Sequence, residues 1–225
     1  MSIQSPLPSA KLRALVIALT PLAALEAILS LSELAGYGAI RGQLTAALGA
    51  WPDLWSDARG VYPGQGIVML VSYSVLHGNF MHFAFNALWI LIFGRLLLVD
   101  MRMVEFLAAF LAASAAGAIA YVLLASGSAP AVGASGGAYG LGALWAARVM
   151  RRRKTEAGSW QPVVGVLGAM AAVTLIVPMG SAGVAWQAHF GGSLLGLAWG
   201  WFRDRGPTEA TPAERRRKAR VRVVK

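Results

Sequence analysis

Residues Met103–Leu124 have the sequence MVEFLAAFLAASAAGAIAYVLL, in which Glu105 is the single charged side chain. A helix needs about 20 mostly apolar residues to cross the hydrocarbon core of a bilayer. This stretch has that length and composition, so it predicts a transmembrane helix.

Five further apolar stretches predict, together with this one, an all-α polytopic membrane protein with a bundle of six transmembrane helices. Residues 35–79 form a predicted outer loop, and within it the apolar stretch Ile67–Leu76 has only half the length of a span. We expect this stretch to dip into the membrane without crossing it. The six predicted spans within the membrane domain 12–202 are about Leu12–Leu34, Phe80–Val99, Met103–Leu124, Val132–Met150, Val163–Val177 and Val184–Phe202.

The composition agrees with a membrane protein and excludes several other classes. Of the 225 residues, 57% are hydrophobic and only 13% are charged, and the mean hydropathy is +0.59. A soluble domain carries about 25% charged residues, and a disordered chain is far less hydrophobic. The chain has no cysteine, which excludes a disulfide scaffold, a thiolate metal site and a cysteine nucleophile.

The basic residues predict how the chain is oriented. One side holds 18 of the 20 lysines and arginines, in or beside residues 1–11, the interruptions after the second and fourth spans and the tail 203–225. These are Lys11 and Arg13, Arg95 and Arg102, Arg148 with Arg151–Lys154, and nine residues of the tail. The other side holds only Arg41 and Arg59. Because basic residues concentrate in the cytoplasm, both termini are predicted to be cytoplasmic. The tail lacks a base-reading aromatic residue, so we interpret it as a topology signal that attracts anionic headgroups and predict no nucleic-acid partner.

Polar side chains recur at one depth of the predicted bundle. Ser135, His82, Asn86 and His189 all lie within the first two turns of an even-numbered span. At 1.5 Å per residue they share roughly the outer third of the bilayer. Polar and ionisable groups are expensive there, so the sequence predicts a functional site in this layer. His77, which precedes the second span, is expected to be solvated or structural.

These residue types suit acyl transfer by a serine–histidine dyad. A serine hydroxyl is a poor nucleophile until an imidazole removes its proton, and His189 can do this for Ser135. Asn86 is the best side-chain donor to the developing oxyanion, followed by His82, with the Ser135 backbone N–H. Tyr139 lies one turn after Ser135 and can orient the imidazole. No carboxylate is well placed to complete a triad.

Small residues allow the two helices of the predicted dyad to approach each other. Gly192, Gly196 and Gly200 follow His189 at four-residue spacing, and Gly136 and Gly140 form a similar surface opposite. Such faces permit close helix packing in membranes. Helix packing alone is also the structural alternative for these glycines, for Tyr139 and, as an interhelical hydrogen bond, for Asn86.

The motifs together closely resemble those of the rhomboid family of intramembrane serine proteases. The resemblance covers about Gly66–Phe202, including the number and order of spans. It is carried by Gly133-Ala134-Ser135-Gly136 at the start of the fourth span, by His189 with Gly192 and Gly196, by His82-x-x-x-Asn86, and by Tyr139.

The resemblance implies cleavage of transmembrane protein substrates near the outer membrane face, without a metal or a cofactor. A catalytically silent scaffold of the same fold, which binds transmembrane clients, is the alternative. A transporter is less well supported, because no inverted repeat and no polar path across the spans is visible. The Ala- and Arg-rich composition favours the plasma membrane of a bacterium as the location.

Overall fold

The fold is helical throughout the part of the chain that the structure describes. The computed structural model describes residues 9–55, 60–153, 161–176 and 184–203. Within these residues there is no β-strand, which confirms the all-α class. The described residues form eight α-helices, namely α1 (Ser9–Leu34), α2 (Ala39–Leu48), α3 (Gln65–Ser72), α4 (Phe80–Leu97), α5 (Met103–Leu124), α6 (Ser135–Arg153), α7 (Gln161–Ile176) and α8 (Trp186–Arg203).

Each predicted span corresponds to one helix, namely α1, α4, α5, α6, α7 or α8. Among the described residues, α1 from Ala10 onward, α4 and α5 are long and apolar enough to cross a membrane. Helices α6 and α8 have 19 and 18 residues, but glycine and arginine lower their hydropathy. The count of six spans and the cytoplasmic termini therefore stay predictions.

The fourth span begins later than its hydropathy predicts. The expected start is Val132, whereas α6 begins at Ser135. Ala131 is held instead in an isolated antiparallel bridge with Ala50, with N–O distances of 2.9 Å in both directions. Gly133 then takes a φ of 125°, a left-handed conformation that favours glycine and does not continue a helix. The apolar run is thus longer than the helix. Helix α8 likewise begins at Trp186 rather than at Val184, the predicted start of the sixth span.

Helix α6 lies at the centre of the bundle. Among the helices of the described residues, its contact with α8 is the most extensive, followed by the contacts of α5 with α8 and with α6. Another face of α6 packs against large side chains, since a Cβ atom built at Gly142 would lie 2.8 Å from Phe93 Cζ, and Phe93, Phe106 and Leu141 are almost fully buried in this core. The bundle is therefore close-packed by glycine on one face of α6 and by large apolar side chains on another.

The predicted outer loop is tied down by hydrogen bonds to backbone carbonyls. Gln65 Nε2 donates to Ala46 O at 2.6 Å, and Ser72 Oγ donates to Leu48 O at 2.7 Å. Helix α3 buries one face, since Met69 is 0% exposed while Ile67 is 77% exposed. The amphipathic helix fits the expected shallow insertion of this segment, which stays a prediction.

Two basic side chains bind the turn between α4 and α5. Lys11 Nζ donates to the carbonyls of Leu98 and Met101, and Arg148 pairs with Asp100 at 3.1 Å, so both side chains lie at the turn between α4 and α5. Several predicted features lie outside the described residues. They are residues 1–8 of the predicted cytoplasmic N-terminus, Arg59, Lys154, the end of the fifth predicted span at Val177, and residues 204–225 of the tail.

Candidate active site

Ser135 and His189 are in direct hydrogen-bond contact. Ser135 is the first residue of α6 and His189 is the fourth of α8, and Ser135 Oγ lies 2.9 Å from His189 Nε2. A nucleophile and its base need this distance, about 2.6–3.2 Å. With the imidazole proton on Nδ1, Nε2 accepts the hydroxyl proton, which is the arrangement a general base requires.

Backbone-to-backbone packing of α6 against α8 makes this contact possible. A Cβ atom added at Gly192 would lie 2.0 Å from Gly136 O, and one added at Gly196 would lie 2.0 Å from Gly140 O. Neither distance is sterically possible. The small-residue surface predicted from the four-residue spacing is therefore the helix–helix contact surface, and it sets the separation of Ser135 from His189.

Tyr139 stacks on the imidazole of His189. The two ring centroids are 4.1 Å apart and the planes are 7° from parallel. Tyr139 lies one turn after Ser135, so the same helix carries the hydroxyl and the platform under the ring. Because the stack restricts rotation of the imidazole, Nε2 stays aimed at Ser135.

A tight turn at Gly133 precedes Ser135. Gly133 is buried with a φ of 125°, and a Cβ atom there would lie 2.6 Å from the His82 ring. Its N–H donates to Tyr73 O at 2.9 Å, and the next N–H, that of Ala134, donates to His77 Nε2 at 3.3 Å. The turn is thus held by the end of the outer loop, which sequence reasoning had not connected to the site.

His77 is structural, as one of the two sequence interpretations held, but it is not solvated. It is 2% exposed, and its ring packs edge-on against His82 at 5.2 Å between centroids. No sequence motif and no helical spacing predicts the contact of His77 with Ala134 or that of Tyr73 with Gly133. The sequence indicates a special role for His77 only because a histidine lies beside an apolar span.

His82 and Asn86 lie on one face of α4, next to the turn that precedes Ser135. Asn79 caps this helix by accepting the His82 N–H at 2.8 Å. His82 Nδ1 accepts the Gly78 N–H at 3.4 Å, so a neutral ring carries its proton on Nε2, which faces Gly133. Asn86 Nδ2 donates to His82 O at 2.9 Å, and its second N–H is available to another acceptor.

One cavity collects the predicted site residues. It has a volume of about 280 Å³ and is lined by Ser135, His189, His82, Asn86 and Tyr139. Residues 125–127 and 129–132, which precede α6, and residues 184–187, which include the first turn of α8, form another part of its wall. The side chains predicted to take part in acyl transfer therefore line one shared cavity.

Four of the described acidic side chains pair with arginines. Glu26 and Glu33 bind Arg41, and Asp100 and Glu105 lie beside Arg148. In the described ranges no group of three or more His, Cys, Asp or Glu side chains could hold a metal ion. The metal-free, cofactor-free site stays a prediction.

Comparison with known proteins identifies the family. The model of the rhomboid domain matches residues 64–205, which is more than half of the chain and includes the whole site described above. No curated protein matches the chain. With its apolar helices, the chain is an integral membrane protein that belongs to the rhomboid family.

Proposed function

We propose that this protein is an intramembrane serine endopeptidase that cleaves transmembrane protein substrates near the outer face of the membrane. The observation that carries the proposal is the 2.9 Å contact between Ser135 Oγ and His189 Nε2. The family supplies the general context, because rhomboid proteins are generally intramembrane serine proteases. The composition leads us to place the activity in a bacterial plasma membrane.

The chemistry takes two steps. Ser135 Oγ attacks the scissile carbonyl carbon while His189 takes the hydroxyl proton, and the protonated imidazole then gives that proton to the leaving amine. Water next attacks the acyl-enzyme ester, again with His189 as base, and releases the new carboxyl group and the free Ser135. Every proton is returned to its source, so proton transfer needs no acid or base besides His189.

The substrate has to reach the cavity as an unwound segment. Trp89 on α4 and Met170 on α7 both line the cavity. These residues support an approach between α4 and α7, where a substrate helix unwinds and exposes one peptide bond to Ser135.

Three donors are proposed to stabilise the oxyanion, namely the Asn86 amide, the His82 Nε2–H and the Ser135 N–H. Removing one such donor costs about 10²–10³ in kcat. We therefore expect Asn86→Ala to lower kcat by about 10²-fold, with KM little changed, in a reporter cleavage assay.

Asn79→Ala is the matched control for this variant. Asn79 caps α4, so its loss costs about 1 kcal/mol of stability and should lower kcat far less than Asn86→Ala. If the two variants lower kcat equally, the Asn86 amide is not an oxyanion donor.

Cleavage of a single-span reporter in proteoliposomes tests the function itself. We expect the purified protein to cut the reporter, and mass spectrometry to place the new terminus near the outer end of its transmembrane segment. A panel of reporters that bind but stay intact would instead support the scaffold.

A further inference from the structure

Arg41 is a buried arginine outside the cavity, and its contacts reach toward the active site. It lies in α2 and is 7% exposed. Its guanidinium donates to Glu26 at 2.9 and 3.1 Å and to Glu33 at 2.6 and 3.2 Å. One further hydrogen bond, from Nη1 to His77 O, has a length of 2.5 Å.

Glu26 and Glu33 balance the positive charge of Arg41, but this charge balance does not explain why Arg41 also donates a hydrogen bond to His77 O. Burial lowers the pKa of Arg41, yet Glu26 and Glu33 more than offset this effect and raise it above its usual value. The guanidinium is therefore a permanent cation, and its planar fork can bind a carboxylate and a carbonyl at once. Glu26 comes from α1 and His77 from the segment before α4, so Arg41 joins α2 to two other parts of the chain.

His77 connects the hydrogen bond from Arg41 to the turn that precedes Ser135. Its ring accepts the Ala134 N–H at 3.3 Å, directly before the nucleophile. Burial, and then His82 and Arg41, lower the pKa of His77, so the ring is neutral at pH 7 and Nε2 can accept. The chain of contacts thus runs from Arg41 to the His77 carbonyl, through the His77 ring, to Ala134.

We infer that Arg41 is a positioning residue for the nucleophile. It fixes the His77 backbone, so that the imidazole holds the Ala134 N–H and keeps Ser135 at its distance from His189. Arg41 and His77 do not line the cavity, so their effect on the reaction is indirect. The inference rests on the proposed function, because it concerns the reactivity of Ser135.

The expected effect falls on kcat and on the reactivity of Ser135 rather than on substrate binding. A displacement of about 1 Å at a reacting group costs about 10²-fold in rate. We expect loss of the Arg41 contact to slow both reporter cleavage and fluorophosphonate labelling of Ser135 by about 10- to 100-fold, with KM unchanged.

The test separates positioning from folding stability. Arg41→Met leaves Glu26 buried without its partner, which is strongly destabilising, whereas apolar replacement of both members of a buried pair is often neutral. The double variant Arg41→Met/Glu26→Met is therefore the informative one. Arg41→Lys is a second variant, which keeps a charge beside Glu26, but its single nitrogen cannot reproduce the fork to His77 O.

Arg148→Met is the matched control. Arg148 is 8% exposed and also ion-paired, but it lies thirteen residues after Ser135 on α6, about 20 Å along the helix axis. We expect it to lower the melting temperature while labelling and kcat stay within about twofold of wild type where the protein is folded.

Each outcome decides the inference. Slow labelling and low kcat with unchanged KM, in the double variant or in Arg41→Lys at a wild-type melting temperature, support it. Wild-type rates in the variant that remains folded overturn it and leave Arg41 with a stabilising role only. If wild type itself is neither labelled nor active on any reporter, the proposed function fails and the inference fails with it.

Discussion

Ser135→Ala is expected to abolish cleavage of the reporter, with a loss in kcat of at least about 10⁴-fold. The substitution removes the oxygen that lies 2.9 Å from His189 Nε2 and leaves no group to form the acyl-enzyme. The helix start should be retained, because alanine is well tolerated there and the Gly133 turn is unchanged. The measurement is initial rate in proteoliposomes, with folding checked by thermal unfolding.

Ser114→Ala is the control for the serine substitution. Ser114 is fully buried on α5, where its hydroxyl donates to Phe110 O at 2.9 Å. It lies outside the proposed dyad, so Ser114→Ala makes the same chemical change away from His189. Its loss should change kcat by less than about threefold, because such a bond within a helix adds little to stability. Cleavage by Ser135→Ala at the wild-type rate would mean that another residue, or another protein, does the chemistry.

Gly196→Ala is expected to damage both stability and activity, although it adds only one methyl group. The new Cβ would lie 2.0 Å from Gly140 O, so α6 and α8 have to separate. Overpacking of this kind costs about 1–3 kcal/mol, and we expect the upper end because the obstacle is backbone. The same separation moves His189 away from Ser135 and should lower kcat by about 10²-fold.

Gly168→Ala is the matched control for that prediction. Among the described residues, no atom lies within 4 Å of a Cβ built at Gly168 on α7. Alanine there should be neutral or stabilising by up to about 1 kcal/mol, because it is the better helix former. If Gly196→Ala is as stable and active as Gly168→Ala, the close approach of α6 and α8 is not what sets the geometry of the dyad.

Helical periodicity explains why much of the candidate site could be predicted from the sequence. Four-residue spacing of Gly192 and Gly196 indicates one small face, and the same spacing of His82 and Asn86 indicates one polar face. A topology of alternating helices then puts Ser135 and His189 at one depth. Their catalytic roles stay predictions, but the structure brings these residues together.

The beginning of α6 could not be predicted from hydropathy. Val132 continues the apolar run, yet the backbone leaves the helix because Ala131 pairs with Ala50 and Gly133 adopts a positive φ. The pairing joins residues that are far apart in the sequence, and no local pattern reports it. The consequence matters for the proposed function, since the helix begins at Ser135, the proposed nucleophile.

The network around Arg41 also lies beyond sequence reasoning. Glu26 within an apolar span predicts that some partner offsets the cost of burying its charge, but no period links it to Arg41, which is 15 residues away. The bond from Arg41 to His77 O spans 36 residues. Contacts of this kind depend on how the outer loop folds back on the bundle, and only the structure shows them.

Fluorophosphonate labelling of the purified protein, followed by intact mass and peptide mapping, tests the central claim most directly. It asks whether His189 activates Ser135, and it does not depend on the choice of substrate. We predict one adduct per chain, on Ser135, that is absent in Ser135→Ala and forms at least about 10²-fold more slowly in His189→Asn. An adduct on another residue, no adduct at all, or a wild-type labelling rate in His189→Asn would contradict the account.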